Sequence, residues 1–206
     1  MAIFYQNKLR LGLAKYQEIE FRTILAADRQ RIEQGFRLLS NESRYLRFFT
    51  YLKELSPAQL TYLSEVDQVN HVAWGAIDLG QNPDLGLGVG RFIRLDEAPD
   101  SAELAITVID SYQGKGLGNV LFAIMYLLAK PNQVDYFVGS VLPENAYVLE
   151  KLRDMNARIR FDGNVYQFRL PICQDIEMCT QSPSVQSFKF LLQEVKNKLF
   201  EHNPGL

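Results

Sequence analysis

The sequence predicts a mixed α/β fold of the α+β class, and three observations lead there. Strand-like stretches at 71–79, 87–95 and 102–109 follow one another with only turns between them. Helical periodicity is concentrated before and after that block. A glycine-rich loop, Gly114 to Gly118, joins the third stretch to an apolar helical pattern.

In chain order, residues 18–25 (QEIEFRTI) alternate and predict a first strand. Asp28 is a predicted N-cap, followed by Ile32, Phe36 and Leu39 at helical spacing. Asn41 is the expected cap of a second short helix carrying Tyr45, Leu46, Phe48 and Phe49. Ser56-Pro57-Ala58-Gln59 is a strong helix start. Ser56 caps, Pro57 takes the position that needs no amide donor, and Gln59 completes a capping box. Next come the strand-like 71–79, a turn at Gln81–Asp84 and a returning strand at 87–95. A second turn at Glu97–Asp100 then leads into 102–109, which reads as a central strand buried on both faces.

Leu117, Val120, Leu121, Ile124 and Leu128 form the helix after the glycine loop, with Pro131 as its stop. A strand at 134–142, a helix over Glu144–Asn156 and a strand pair at 157–161 and 165–170 around Asp162-Gly163-Asn164 complete the pattern. The main domain is 1–172. Residues 173–206 read as a linker plus an amphipathic helix opening at Pro183-Ser184, with Val185, Phe188, Leu192, Val195 and Leu199 on one face. That face packs on its own domain or forms a dimer contact; two heptads are too few for a free coiled coil.

Composition narrows the function. The chain has 206 residues, 22 Lys+Arg against 24 Asp+Glu, and a net charge of −2. That excludes a broadly basic nucleic-acid binder. Val120–Ala129 is the longest apolar run and is too short for a bilayer span. The first residues make a poor secretory signal, so a cytoplasmic protein without membrane or nucleic-acid partners is expected. Cys173 and Cys179 give neither a disulfide framework nor a metal set, so no metal is expected. His71 and His202 lack metal or triad partners in sequence. Arg29, Arg31, Arg37, Arg44 and Arg47 read as a solvated helix face.

The informative segment is Ile106 to Asn119. A strand runs into glycines that open a helix, so backbone amides and the positive helix end form a phosphate cradle. A Walker loop needs Ser or Thr after Lys115, where Gly116 stands. A dinucleotide fingerprint needs glycine where Asn119 stands.

Gln113, Gly116 and Gly118 fit the pattern Gln/Arg-x-x-Gly-x-Gly/Ala, five residues after Val108. This resembles the acetyl-coenzyme A motif of the GNAT superfamily of N-acetyltransferases. The order of elements over about 18–170 is similar to that family's. The stretches Leu39–Phe49, Leu55-Ser56 and Val66–Ala73 resemble the acetyltransferase domain of bacterial protein-lysine acetyltransferases.

The resemblance implies a mostly antiparallel sheet flanked by helices and splayed at the middle, with acetyl-CoA as co-substrate. Backbone amides of Gln113, Gly114, Lys115, Gly116, Leu117 and Gly118 would hold its pyrophosphate. Ile106, Thr107 and Val108 would pair with the pantetheine arm. Asn145 matches the family's Asn on that arm, or is an ordinary helix cap. Glu103 matches the subgroup's general base, which an amine with a reference pKa near ~10.4 requires. It lies five residues, roughly 17 Å of strand, from Val108. The family's Tyr acid position is Leu152, with Tyr147 or Tyr166 as substitutes, and its Gly-Phe pair is Asn156-Ala157. The implied activity is acetyl transfer to a primary amine, first a protein lysine. The alternatives are a small-molecule amine, or a non-catalytic acyl-CoA sensor or adaptor.

Overall fold

The computed structural model describes residues 7–13, 16–80, 82–173 and 183–200. The linker beyond Cys173 with Cys179, the tail with His202, and Gln81 lie outside the described residues. The chain opens with β1 (Lys8–Leu13) and β2 (Tyr16–Thr23). Helices α1 (Arg29–Arg37), α2 (Asn41–Phe48) and α3 (Pro57–Ser64) follow. Strands β3 (His71–Asp78), β4 (Asn82–Leu95) and β5 (Ala98–Val108) form the meander. Helix α4 (Leu117–Ala129), β6 (Tyr136–Val141), α5 (Ala146–Asp154), β7 (Arg158–Asp162), β8 (Val165–Pro171) and α6 (Pro183–Phe200) complete it. The strands form one sheet in the order β1-β2-β3-β4-β5-β6-β8-β7, antiparallel except at β5–β6.

Several expectations shift. The sequence reading left β1 out because no apolar run is present there. Leu9 and Leu11 nonetheless alternate with exposed Lys8 and Arg10, which suffices for an edge strand. The first predicted strand starts earlier, at Tyr16. The turn predicted at Gln81–Asp84 is largely strand: Asn82 already pairs with Asp78. The next turn is Asp96-Glu97, so β5 begins at Ala98. Ser40, not Asn41, caps α2, its side chain accepting from the Ser43 amide. The Ser56 capping box forms as expected, with Gln59 returning a bond to the Ser56 amide at 2.8 Å. Asn156 does adopt the left-handed conformation after α5, at φ 61°.

The core lies between the sheet and α4. Trp74, Phe92, Phe137 and Leu121 are fully buried there, each contributing on the order of 2 kcal/mol relative to exposure. A Cβ on Gly90 would sit 3.1 Å from Leu121 Cβ, so β4 must lack a side chain where α4 crosses it. The apolar face of α6 (Val185, Phe188, Leu192, Val195 and Leu199) is buried within the protomer, with Phe188 stacked on Phe122 at 5.1 Å. The residues expected to offer a dimer contact are therefore already covered inside one chain.

Candidate active site

The glycine loop is built as a cradle. Asp110–Tyr112 make one 3-10 turn, and Gly116, at φ 94°, caps α4 without any side-chain bond. That backbone conformation costs a residue with a Cβ roughly 1–2 kcal/mol. Among the described residues, the amides of Gly114, Gly116, Leu117 and Gly118 have no intramolecular acceptor. A helix start needs such donors satisfied by something, which makes these amides candidates for an anionic ligand. The Leu117 side chain is buried in the core, so only its backbone is available to a ligand.

The loop is anchored from behind. The Gln113 side-chain amide donates to the Val108 carbonyl at 3.0 Å and to Ser43 Oγ at 3.1 Å. The Asp110 carboxylate accepts from the Ser40 amide and from Ser43 Oγ, both at 3.0 Å. Burial alone would raise the pKa of Asp110, but these bonds hold it below the usual carboxylate value. Lys115 folds back, donating to the Ser111 carbonyl and covering the Tyr112 ring at 4.8 Å. Sequence reasoning did not assign this anchor to Ser40, Ser43 and Asp110. The polar spacing of Ser40 and Ser43 is its only trace in the sequence.

The central strand is not buried on both faces, contrary to expectation. β5 pairs with β4 along nearly its whole length, from Ala98 to Val108. It pairs with β6 only at Ser101–Tyr136, Ala102–Phe137 and Glu103–Val138. Beyond that, β6 turns away to β8, and Leu104 to Val108 are only half-buried. The free β5 edge, including Ile106, Thr107 and Val108, thus runs from the glycine loop back to Glu103. Gly139 stands where the strands part, and a Cβ there would meet the Phe168 ring at 2.8 Å.

Glu103 is exposed at the far end of that edge. It shares a sheet face with Ala105 and Thr107, which line a cavity of about 80 Å³ under α1–α3. Arg47 and Arg91 line the same cavity, and the Glu103 charge is felt at Arg47. Burial lowers the pKa of Arg47, while Glu103 and Tyr62 oppose that shift. His71 Nε2 lies 2.9 Å from Arg91 Nη1. Burial, then the Arg91 charge, pushes its pKa down to about 4, so the ring is neutral.

The expected solvated arginine face therefore holds only for Arg37, which is exposed and pairs with Glu33. Arg31 pairs with Asp28, Arg44 covers the Phe36 ring at 4.6 Å, and Arg29 donates to Thr61 Oγ1 at 2.7 Å. An apolar core on both sides of α1 and α2 draws these long side chains inward. The predicted cap Asp28 makes no cap bond; its carboxylate is buried against Arg22 and Arg31 instead.

Asn145 caps α5, accepting from the Val148 amide at 3.4 Å. Leu152 is buried in the core. Tyr147 is exposed, and Tyr166 packs on Phe161 at 4.9 Å. Among the described residues, no group of three or more His, Cys, Asp or Glu side chains is placed to hold a metal. No helix among the described residues is long and apolar enough to cross a membrane.

A sheet parted beside its central strand, with an amide-rich helix start at the parting, is the GNAT fold. In the solved GNAT domain of S. lividans PAT the likeness reaches a TM-score of 0.71 at 24% identity, over 80% of this chain and 96% of that one. YncA of Salmonella typhimurium, solved with its cofactor acetyl-CoA, matches at a TM-score of 0.59 and 14% identity, over 76% of this chain and 95% of that one. No family model matches the chain. In sequence it is similar to the acetyltransferase Pat of Mycolicibacterium smegmatis, 33% identical over 133 residues, 65% of this chain. The chain spans only 39% of that relative's length.

Proposed function

We propose that this protein transfers an acetyl group from acetyl-CoA to a primary amine, with a protein lysine as acceptor. The observation that carries this reading is the half-exposed central strand. A β-strand with an unpaired edge in the middle of a sheet needs hydrogen-bonding partners, and an amide-bearing chain laid along Leu104–Val108 supplies them. One end of that edge meets the orphan amides of Gly114, Gly116, Leu117 and Gly118, suited to a pyrophosphate. The other end meets a carboxylate. The YncA complex shows acetyl-CoA held by a protein of this fold.

Glu103 is the general base in this proposal. It takes a proton from the acceptor ammonium, directly or through one water. The freed amine attacks the thioester carbonyl, forming the C–N bond. The C–S bond breaks, the new amide nitrogen gives its surplus proton to solvent, and the departing thiolate takes a proton from solvent, since Leu152 is buried and offers no acid. A thiol with a reference pKa near ~8.5 leaves without great difficulty under those conditions. Asn145 and the amide of Lys115 complete the coenzyme contacts; the Gln113 amide, expected to join them, donates instead to the Asp110 carbonyl at 3.2 Å. Cytoplasmic residence is part of the same proposal.

The test is thiol release from acetyl-CoA in the presence of lysine peptides, followed by mass spectrometry of the peptides. Acetylated lysine that depends on Glu103 supports the proposal. Tight acetyl-CoA binding without turnover on any amine supports an acyl-CoA sensor instead.

A further inference from the structure

The cavity beneath α1–α3 is lined by four guanidinium groups, Arg22, Arg31, Arg47 and Arg91, and by one carboxylate, Asp28. Asp28 is spoken for: its oxygens lie 2.6 Å from Arg22 Nη2 and 3.0 Å from Arg31 Nη1. Arg91 is only 4% exposed, and its guanidinium contacts are the His71 ring at 2.9 Å and the Leu63 carbonyl at 3.2 Å. Neither group carries charge to balance it. Among the described residues, neither Arg47 nor Arg91 forms an ion pair. Arg31 Nε, on the same lining, is buried without a partner. Two cations sharing a small, otherwise largely apolar cavity are expensive to bury without an anion. The strain is visible: burial and the neighbouring Arg47 push Arg91 down to about 10.

We infer that this cavity is a carboxylate subsite of the acceptor, in which Arg91 and Arg47 receive an acidic group carried close to the reacting amine. The inference rests on the transferase reading above. Its geometry follows from the strand. Ala105, on the cavity lining, is two residues from Glu103 on the same face, roughly 7 Å away. An acceptor whose amine sits at Glu103 can therefore place a carboxylate a few bond lengths further, at Arg47. Glu103 itself cannot serve both roles, because a base tied to Arg47 would lose its pull on the ammonium. The acidic group comes from a Glu beside the target lysine or from a free amino acid; the chemistry is shared, and the experiment separates the two.

Two kinds of measurement test this. Lysine peptides carrying Glu within two residues of the lysine are compared with their Gln counterparts and with free amino acids. A tenfold or greater advantage in kcat/KM for the Glu peptides, mostly in KM, is expected. Arg47→Gln should abolish that advantage and Arg47→Lys should partly restore it, with circular dichroism confirming the fold. Separately, sodium glutarate should raise the Tm of the coenzyme-free protein above a sodium chloride control of equal ionic strength, and not in Arg47→Gln. Equal rates on Glu and Gln peptides with no glutarate shift would overturn the inference. So would an Arg47→Gln loss that falls equally on both peptides, which would assign Arg47 to Glu103. Free amino acids outpacing every peptide would place the carboxylate on a small molecule and uphold the subsite. A glutarate shift without acetylation of any amine would uphold the subsite and sink the transferase reading.

Discussion

The carboxylate of Asp110 accepts a hydrogen bond from the hydroxyl of Ser43 at 3.0 Å, joining the glycine loop to a helix 67 residues earlier. The cap and first turn of α2 thus brace the glycine loop. Ser43→Ala removes that bond and the one from Gln113. Acetyl-CoA affinity should fall about tenfold, as expected for one or two lost hydrogen bonds of ~1 kcal/mol each. Isothermal titration calorimetry reads this directly, and unchanged affinity would show that the brace is irrelevant to binding.

Gly116→Glu should abolish measurable acetyl-CoA binding. The positive φ of 94° penalises any side chain, and a carboxylate at the helix start repels a pyrophosphate. The loop is exposed, so the fold should survive with a Tm loss of only a few degrees. An intact binding isotherm for this variant would be incompatible with the cradle.

Glu103→Gln should lower kcat by about 10²–10⁴ while leaving acetyl-CoA affinity unchanged. The residual rate should rise with pH as more acceptor amine is already deprotonated. Full activity in this variant would exclude Glu103 as the base.

Stability should fall in acid through Asp28. Burial would raise its pKa, but the hydrogen bonds from Arg22, from the Leu25 amide and from Arg31 hold it below its ordinary value. A carboxyl with a depressed folded pKa contributes stability that is present above the unfolded value, near ~3.9, and lost as pH falls through the lower folded value. Asp28→Asn should cost about 3–5 kcal/mol at pH 7, because it strands two arginines, and should flatten this acid limb. Urea denaturation between pH 2 and 7 measures both.

Lys151 acts in the same direction at the alkaline end of the pH scale. Burial over the Phe122 and Phe188 rings lowers its pKa to about 8. The folded state therefore gives up a proton that the unfolded chain keeps until ~10.4, and stability should rise between those two values. A 13C-methylated lysine signal titrating near pH 8, absent in Lys151→Met, is the expected observation.

Much of this was legible in the sequence, and the reasons are local. Ser56-Pro57-Ala58-Gln59 encodes its helix start within four residues, and the glycine spacing of Gln113–Gly118 marks the loop that opens α4. The missed features are those that depend on distant partners. Arg91 sits in an apolar strand, LGVGRFIRL, where only tertiary packing reveals that its charge is buried beside Arg47. Asp28 resembles a cap because its neighbours suit one; Arg22, on another element, claims its carboxylate instead. The parting of β5 from β6 leaves no mark on residues 102–109, because a strand buried on both faces and a strand awaiting a ligand are equally apolar.

That parting has a mechanical side. The five strands before it and the three after it are sewn together by only three facing residues, Ser101, Ala102 and Glu103 against Tyr136, Phe137 and Val138. It is the narrowest joint in the sheet, since every other neighbouring pair of strands is matched at five or more positions. α6, packed on α4 and reaching both β1 and α5, clasps the halves from the rear. A molecule lying in the gap would bridge the same two halves from the front, opposite the face that α6 covers.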